Sequence, residues 1–244
     1  MRGNVKEVRD KKVRDYFDRM SISEFLSVMG QEKYKPVLQI VNYRDPEVKK
    51  MEDRNYVLAT FSDVVYEYLM MWDRIPTPTE YAKYCVKLTY DRLEADGVFI
   101  NTEVKKALFN RRVNSYVSFI TEIYTRKLFD RLLSSKYSIV SSNEMDFKGV
   151  DIVVKNRQTG KCAYIHVTSN TAHARERALQ KANKHGRDFT GHIWLYYDKK
   201  TIRQSLDHTL PELSTDTTKE YNGYYFFKKD YIKERIELIE YRTK

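Results

Sequence analysis

The sequence predicts an α+β protein in two parts: a helical domain over residues 1–112 and a mixed α/β domain over 113–244. Three observations predict it. Apolar residues recur at the helical period through the first half, between cap signals that can be read directly. From Val113 onward one long helical pattern gives way to short runs rich in β-branched and aromatic residues. Those runs and the helical patterns around them follow the order α-β-β-β-α-β, which calls for a mixed sheet. A chain of 244 residues, 41% hydrophobic and 32% charged, has the apolar surface to fold and too much of it for a disordered chain.

Taken in order, the first twenty residues form a charge-dense helical arm. In SISEFLSVMG, Ser21 and Glu24 have capping-box spacing and Gly30 stands where the helix would end. YKPVLQIVNY reads as a strand or a buried connection. From about Asn55, YVLATFSDVVYEYLMMWDR carries a broad apolar face at helical spacing. The sharpest local signal follows: Thr77 as N-cap, Pro78 at the first helical position, Glu80 at the third, and Gly97 just past the end. Another helix is expected to open at Asn101, in NTEVKKALFNRR.

The second part begins with VNSYVSFITEIYTRKLFDRLL. Its apolar residues Tyr116, Val117, Ile120, Ile123, Tyr124, Leu128 and Leu132 fall close to the 3.6 period and are expected to face a sheet. KYSIV, GVDIVVK and CAYIHVTS read as three strands, the last two joined as a hairpin through NRQTGK. A helix over about Thr171 to His185 has an alanine-rich stripe and ends at Gly186, and HIWLYYD is a strongly apolar strand. Thr201 to Asn222 reads as loop with a short helix, GYYFFKK as a strand, and DYIKERIELIEY as a closing amphipathic helix.

Composition narrows the function classes. A surplus of 44 Lys and Arg over 34 Asp and Glu, net +10, favours encounter with a polyanion. Cys85 and Cys162 lack CxxC partners, which argues against a disulfide framework or a zinc knuckle. The charged N-terminus lacks the apolar core of a signal peptide and no window approaches 18 apolar residues, so a cytoplasmic protein without a membrane span is expected. The absence of GxxxxGK[ST], GxSxG, HExxH and a dinucleotide fingerprint argues against nucleotide hydrolysis and a nucleotide cofactor. Four histidines, His166, His173, His185 and His192, match no zinc spacing and fall on different elements. Of the 20 tyrosines, most recur at core spacing, although tyrosines interleaved with lysines also suit base stacking.

The helix, tight turn, helix, short connection and helix over about 56–112 resemble a helix-turn-helix DNA-binding module. The resemblance implies that the helix opening at Pro78 faces the groove with Thr79, Lys83, Lys87 and Arg92, while Lys105, Lys106, Arg111 and Arg112 hold phosphates. The competing reading is three packed helices whose cations are a solvated face.

Over about residues 113–198 the α-β-β-β-α-β order, with Asp151 opening the second strand, resembles the PD-(D/E)XK nuclease superfamily, the fold of many restriction enzymes. The resemblance implies that Glu122 on the preceding helix and Asp151 hold a divalent ion, Mg2+ with Mn2+ able to substitute. The family's acid-x-lysine on the third strand is replaced by His166 and Thr168 in YIHVTSN. Strand alternation puts Tyr164, His166 and Thr168 on one face, which Asp151 can share. His166 would be a nitrogen ligand or the base that takes a proton from water. Lys181 on the following helix would stand in for the missing lysine, with Arg175 and Arg177 contacting nucleic acid. The expected function is that of a metal-dependent DNA endonuclease acting as a homodimer. The alternative is a DNA-binding or regulatory protein that keeps the fold without the chemistry, and RNA is a further possible substrate.

Overall fold

The computed structural model describes residues 2–35, 58–140, 150–169, 176, 192–197 and 217–244. Among these the protein is α+β, with six helices, a mixed four-stranded sheet and a small antiparallel sheet. The elements are α1 (Arg2–Arg19), α2 (Ile22–Met29), α3 (Phe61–Trp72), α4 (Pro78–Ala95), α5 (Thr102–Leu132), β1 (Tyr137–Val140), β2 (Ile152–Asn156), β3 (Cys162–Ser169), β4 (Ile193–Tyr197), β5 (Thr218–Tyr221), β6 (Tyr224–Phe227) and α6 (Lys229–Thr243). The chain divides into two compact units, Met1–Phe119 and Ile120–Lys244. No helix among the described residues is long and apolar enough to cross a membrane.

In the first unit the cap signals do what their chemistry requires. Ser21 with Glu24 and Thr77 with Glu80 form complete capping boxes, and Pro78 opens α4. Gly97 takes the left-handed backbone (φ 71°) that ends the helix, a conformation without steric cost for glycine. The helix read from about Asn55 begins at Phe61, because Thr60 and Asp63 make a third capping box that fixes the start.

The core of this unit is aromatic. Phe61 meets Phe17, Tyr81, Tyr116 and Phe119 with ring centroids 4.8 to 6.3 Å apart. Phe17 also meets Phe25, so α1 and α2 share that core. The Tyr116 hydroxyl, buried with its ring, donates to the Pro76 carbonyl at 2.6 Å, and so anchors the turn before α4. A second cluster of Leu93, Ile100, Val104, Ala107 and Leu108 holds the α4–α5 corner.

A buried carboxylate ties three helices together. Asp63 caps α3 and receives Arg9 from α1 at 3.3 Å and Arg92 from α4 at 3.1 Å. Burial pushes this carboxyl up, but hydrogen bonds from Thr60 and the Arg92 guanidinium outweigh it and hold its pKa below the ordinary range.

The two helices expected at Asn101 and Val113 are one continuous α5 of 31 residues. Nothing in NRRVNS breaks it: no glycine or proline intervenes, and Ala107, Leu108, Val113, Tyr116 and Val117 keep one buried side across the expected break. The division between the compact units falls inside this helix.

In the second unit the large sheet runs β1-β2-β3-β4, with β1/β2 and β2/β3 antiparallel and β3/β4 parallel. The β2–β3 hairpin turns at Gly160, also left-handed (φ 72°). Ile152, Val154 and Asn156 share a face by alternation. Asn156 donates to the Thr243 carbonyl at 3.2 Å, so α6 covers that face with Ile232, Ile236 and Ile239 at helical spacing. Residues 218–221, read as loop, form β5 and pair with β6 through the Asn222-Gly223 turn, where both residues have positive φ. A tight Asn-Gly hairpin accounts for the difference, and the Tyr-Asn-Gly-Tyr sequence carries that signal. On α5, Tyr124 stacks on Phe226 at 4.3 Å and Thr121 donates to the Tyr225 carbonyl at 3.0 Å, so this end of the helix is fastened to β6. YKPVLQIVNY beyond Lys35, the 201–216 segment and the helix expected at about Thr171–His185 lie outside the described residues, apart from helical Glu176.

Asp63→Ala removes a cap and leaves two arginines without their shared carboxylate, at an expected cost of about 3 kcal/mol. The check is urea denaturation followed by circular dichroism. Because the folded pKa of Asp63 is depressed, its contribution is complete above the unfolded carboxylate range near about 4 and is lost as pH falls through the lower folded value. The gap between wild type and variant therefore narrows with acidification.

Candidate functional site

The chemistry-bearing residues of the second unit gather where β2, β3 and β4 run side by side. Register puts Val153 opposite Tyr164, Ile152 opposite Ile165, and His166 beside Trp194 on the parallel strand. Asp151 stands one residue before β2. Its backbone N–H donates to the Ile165 carbonyl at 3.2 Å, and its carboxylate accepts the Val167 N–H at 2.6 Å. The side chain thus takes the rung beyond the end of the backbone ladder, which satisfies a donor on β3 and fixes the carboxylate between the two strands.

His166 is 3% exposed. It lies flat against Trp194, with centroids 4.2 Å apart and planes at 15°. Its Nε2 faces the Nδ1 of His192 at 2.8 Å. The two imidazoles have centroids 5.1 Å apart and planes at 17°. Most of that separation is the nitrogen–nitrogen contact itself, so the rings meet edge to edge in nearly one plane. Head-on nitrogens at this distance share one proton, with one ring donating and the other accepting. His192 lies in turn against Tyr164, with centroids 5.0 Å apart. Tyr164, His192, His166 and Trp194 therefore form one aromatic row beside Asp151, and Thr168 continues the His166 face opposite Tyr196.

His192 is the site residue that sequence reasoning passed over. A helical pattern between β3 and β4 implies a parallel crossover. Pairing His166 with Trp194 then puts residue 192 two positions along on the same face. His166 and His192 meet although they lie on the segments of different strands, and His173 and His185 lie outside the described residues.

Of the other expected site residues, Glu122 is half-buried on α5, while Lys181, Arg175 and Arg177 lie outside the described residues. A divalent ion is what the family resemblance implies. Asp151 supplies an oxygen donor that suits one. The Nε2 of His166 is engaged by His192. Among the described residues no group of three or more His, Cys, Asp and Glu stands together as a metal site.

The candidate groove residues of the first unit divide by what they touch. Arg92 is held by Asp63, and Thr79 donates to Glu32 at 3.3 Å. Lys105 sits 3.7 Å from the centre of the Tyr90 ring. Lys106 pairs loosely with Glu103 at 4.0 Å, both exposed. Arg111 and Arg112 are half-buried on α5, and Lys83 and Lys87 are exposed on α4. The α4 N-terminus already holds an anion: Arg74 forks onto Glu80 at 2.7 and 2.8 Å and holds that carboxyl at about 2. Charge is uneven between the units. Residues 120–244 carry 23 Lys and Arg against 16 Asp and Glu, and residues 1–119 carry 21 against 18, so most of the basic surplus accompanies the Asp151 sheet.

No protein-family model, curated protein or solved structure matches this chain.

Asp151→Ala leaves the Val167 N–H without its acceptor and is expected to cost about 1–3 kcal/mol. Asp151→Asn keeps an amide oxygen for the same bond and is expected to stay within about 1 kcal/mol of wild type. Urea denaturation of the three proteins separates the structural part of this carboxylate from its charge.

Proposed function

We propose that the chain is a metal-dependent DNA endonuclease whose sheet-borne carboxylate, Asp151, holds the ion, and that it works as a homodimer so that both strands can be cut. The observation that carries the reading is the order of the large sheet. A long helix precedes an antiparallel β1-β2-β3 meander and a β4 parallel to β3, and the acid stands at the mouth of β2 beside His166 and Thr168. This order supports the resemblance to PD-(D/E)XK nucleases on which the reading rests. The net charge of the same unit favours a polyanionic substrate.

The bound ion would supply Lewis acidity toward a phosphodiester and make water nucleophilic near neutral pH. Everything else falls to the chain. Asp151 is held by Val167, so its carboxylate needs little reorganisation to bind a cation. The His166–His192 pair is joined by a nitrogen–nitrogen hydrogen bond, with His192 as the more open member, and supplies the imidazoles that would move a proton. The Thr168 hydroxyl, on the His166 face, is a hydrogen-bond donor for a phosphate oxygen. Lys181 is the cation proposed to complete the site.

One observation favours a second reading, in which the chain binds DNA without cutting it. His166 is buried and paired, and Asp151 already completes a ladder, so both residues have structural work in the sheet.

The purified protein is expected to nick and linearise supercoiled plasmid with Mg2+ or Mn2+, and to leave it intact in EDTA. Asp151→Asn should lower cleavage about 10³-fold, the rate equivalent of the several kcal/mol that a metal supplies, while DNA binding and stability are kept. Intact plasmid under every metal condition, with binding retained, would establish the second reading.

A further inference from the structure

The end of the large sheet opposite Asp151, where β1 begins and β2 turns into β3, is basic. Lys136, Lys155, Arg157 and Lys161 all stand exposed there. Backbone pairing brings them together. Lys155 lies opposite Ser138 and Cys162, the Arg157 N–H donates to the Lys136 carbonyl at 2.8 Å, and the Asn156 N–H donates to the Lys161 carbonyl at 2.9 Å. The turn is fixed. The Asn156 Oδ1 accepts the Gln158 and Thr159 N–H groups at 2.9 and 3.2 Å, and the Arg157 Nε donates to the Tyr137 carbonyl at 3.2 Å. The side chains of Thr159 and Lys161 donate to the Thr243 and Lys244 carbonyls of the α6 end, both at 2.9 Å. Neighbouring acids do not cancel the charge. Among the described residues the last two turns of α6 bring Glu237 and Glu240, the latter 3.8 Å from Lys136, but they also bring Arg242 and Lys244. Exposed Asp130 near the end of α5 is matched by exposed Arg131.

We infer that this corner grips the phosphodiester backbone of a DNA duplex on the flank of the Asp151 site, with Lys136 and Lys155 contacting phosphate and Arg157 and Lys161 fastening the corner that carries them. Alternation puts Lys155 on the face of Val153, Tyr164 and His166, four residues or about 13 Å along the strand from Asp151. That separation is roughly four steps of a duplex axis at about 3.4 Å each, so a strand that passes Asp151 along β2 brings a phosphate to Lys155. Cations on a rigid hairpin supply position and charge without reading bases. A membrane surface would call for exposed aliphatic side chains among the cations, and the described residues of this unit expose none of the larger ones. The inference rests on the reading that the chain acts on DNA. It names where the second unit holds the backbone, and it does not need cleavage.

The test is binding of the full-length protein to two blunt DNA duplexes of unrelated sequence, read by fluorescence anisotropy over a range of salt in EDTA, which blocks metal-dependent cutting. Lys136→Gln with Lys155→Gln should weaken binding to both duplexes alike, about 10-fold or more, and flatten the dependence of log Kd on log salt by about 1.8, the equivalent of two phosphates. Lys136→Arg with Lys155→Arg keeps the charge and should bind as wild type does. Lys229→Gln with Lys233→Gln removes the same charge from the start of α6 and should keep the wild-type slope. An unchanged slope in the Lys136 and Lys155 glutamine variant, while wild type binds both duplexes, overturns the inference and leaves the DNA reading standing. Equal losses from the two glutamine pairs also overturn it, because net charge alone would then account for binding. Wild-type protein that binds neither duplex overturns the DNA reading together with the inference, and binding found instead on vesicles of phosphatidylcholine and phosphatidylserine would assign the corner to a lipid surface.

Discussion

The pairing register between β2 and β3 determines what the second unit can present, because every side chain on the candidate face depends on it. A slip of one residue would exchange the faces, turning Tyr164 and His166 inward and Ala163 and Ile165 outward. Two features at opposite ends of the pair oppose that slip. At one end the Gly160 turn closes the hairpin, and Asn156, just before it, fastens to α6 through the Thr243 carbonyl. At the other end the Asp151 carboxylate accepts the Val167 N–H, a bond that a shifted strand could not make. The carboxylate of the face is therefore a structural lock. The cost of holding a carboxylate there is offset by a charge-assisted hydrogen bond to the backbone.

From this lock the rest of the face follows. Once Val167 is fixed, the parallel register with β4 sets His166 against Trp194, and the indole fixes the ring plane of His166. In that plane Nε2 meets His192, which is steadied by Tyr164. The result is a proton-sharing pair with restricted rotamers beside a fixed acid, on the half of the chain that carries most of the basic surplus. In the first unit a carboxylate plays a comparable structural role. Asp63 collects Arg9 and Arg92 and caps α3, so Arg92, a candidate groove residue, is engaged inside the fold.

Much of this was legible in the residues, for reasons that can be named. Capping is local chemistry, so Ser21, Thr77, Pro78 and Gly97 announced their helix ends without knowledge of the partners. Period-two alternation announced the hairpin and placed Tyr164, His166 and Thr168 on one face. Distant pairing was not legible. Nothing local tells that Arg92 turns inward to a carboxylate 29 positions earlier, or that residues 102 to 132 run as one helix whose buried side passes an expected boundary. His192 needed the parallel register before it could be placed. The β5–β6 hairpin was the reverse case: its Asn222-Gly223 turn was a local signal, obscured by the polar stretch before it.

Whether the carboxylate at the mouth of β2 holds a metal ion or serves only as a strand lock is open to direct measurement. The most direct measurement is the amide spectrum of the isotopically labelled protein during a substoichiometric Mn2+ titration, with Asp151→Asn in parallel. For a metal site, paramagnetic broadening is expected to begin at Asp151 and Val167, to spread to His166, and to be lost in the variant while its amide positions elsewhere are unchanged. Broadening that spares the β2–β3 end, or that persists in Asp151→Asn, would contradict it and leave Asp151 as a purely structural acid.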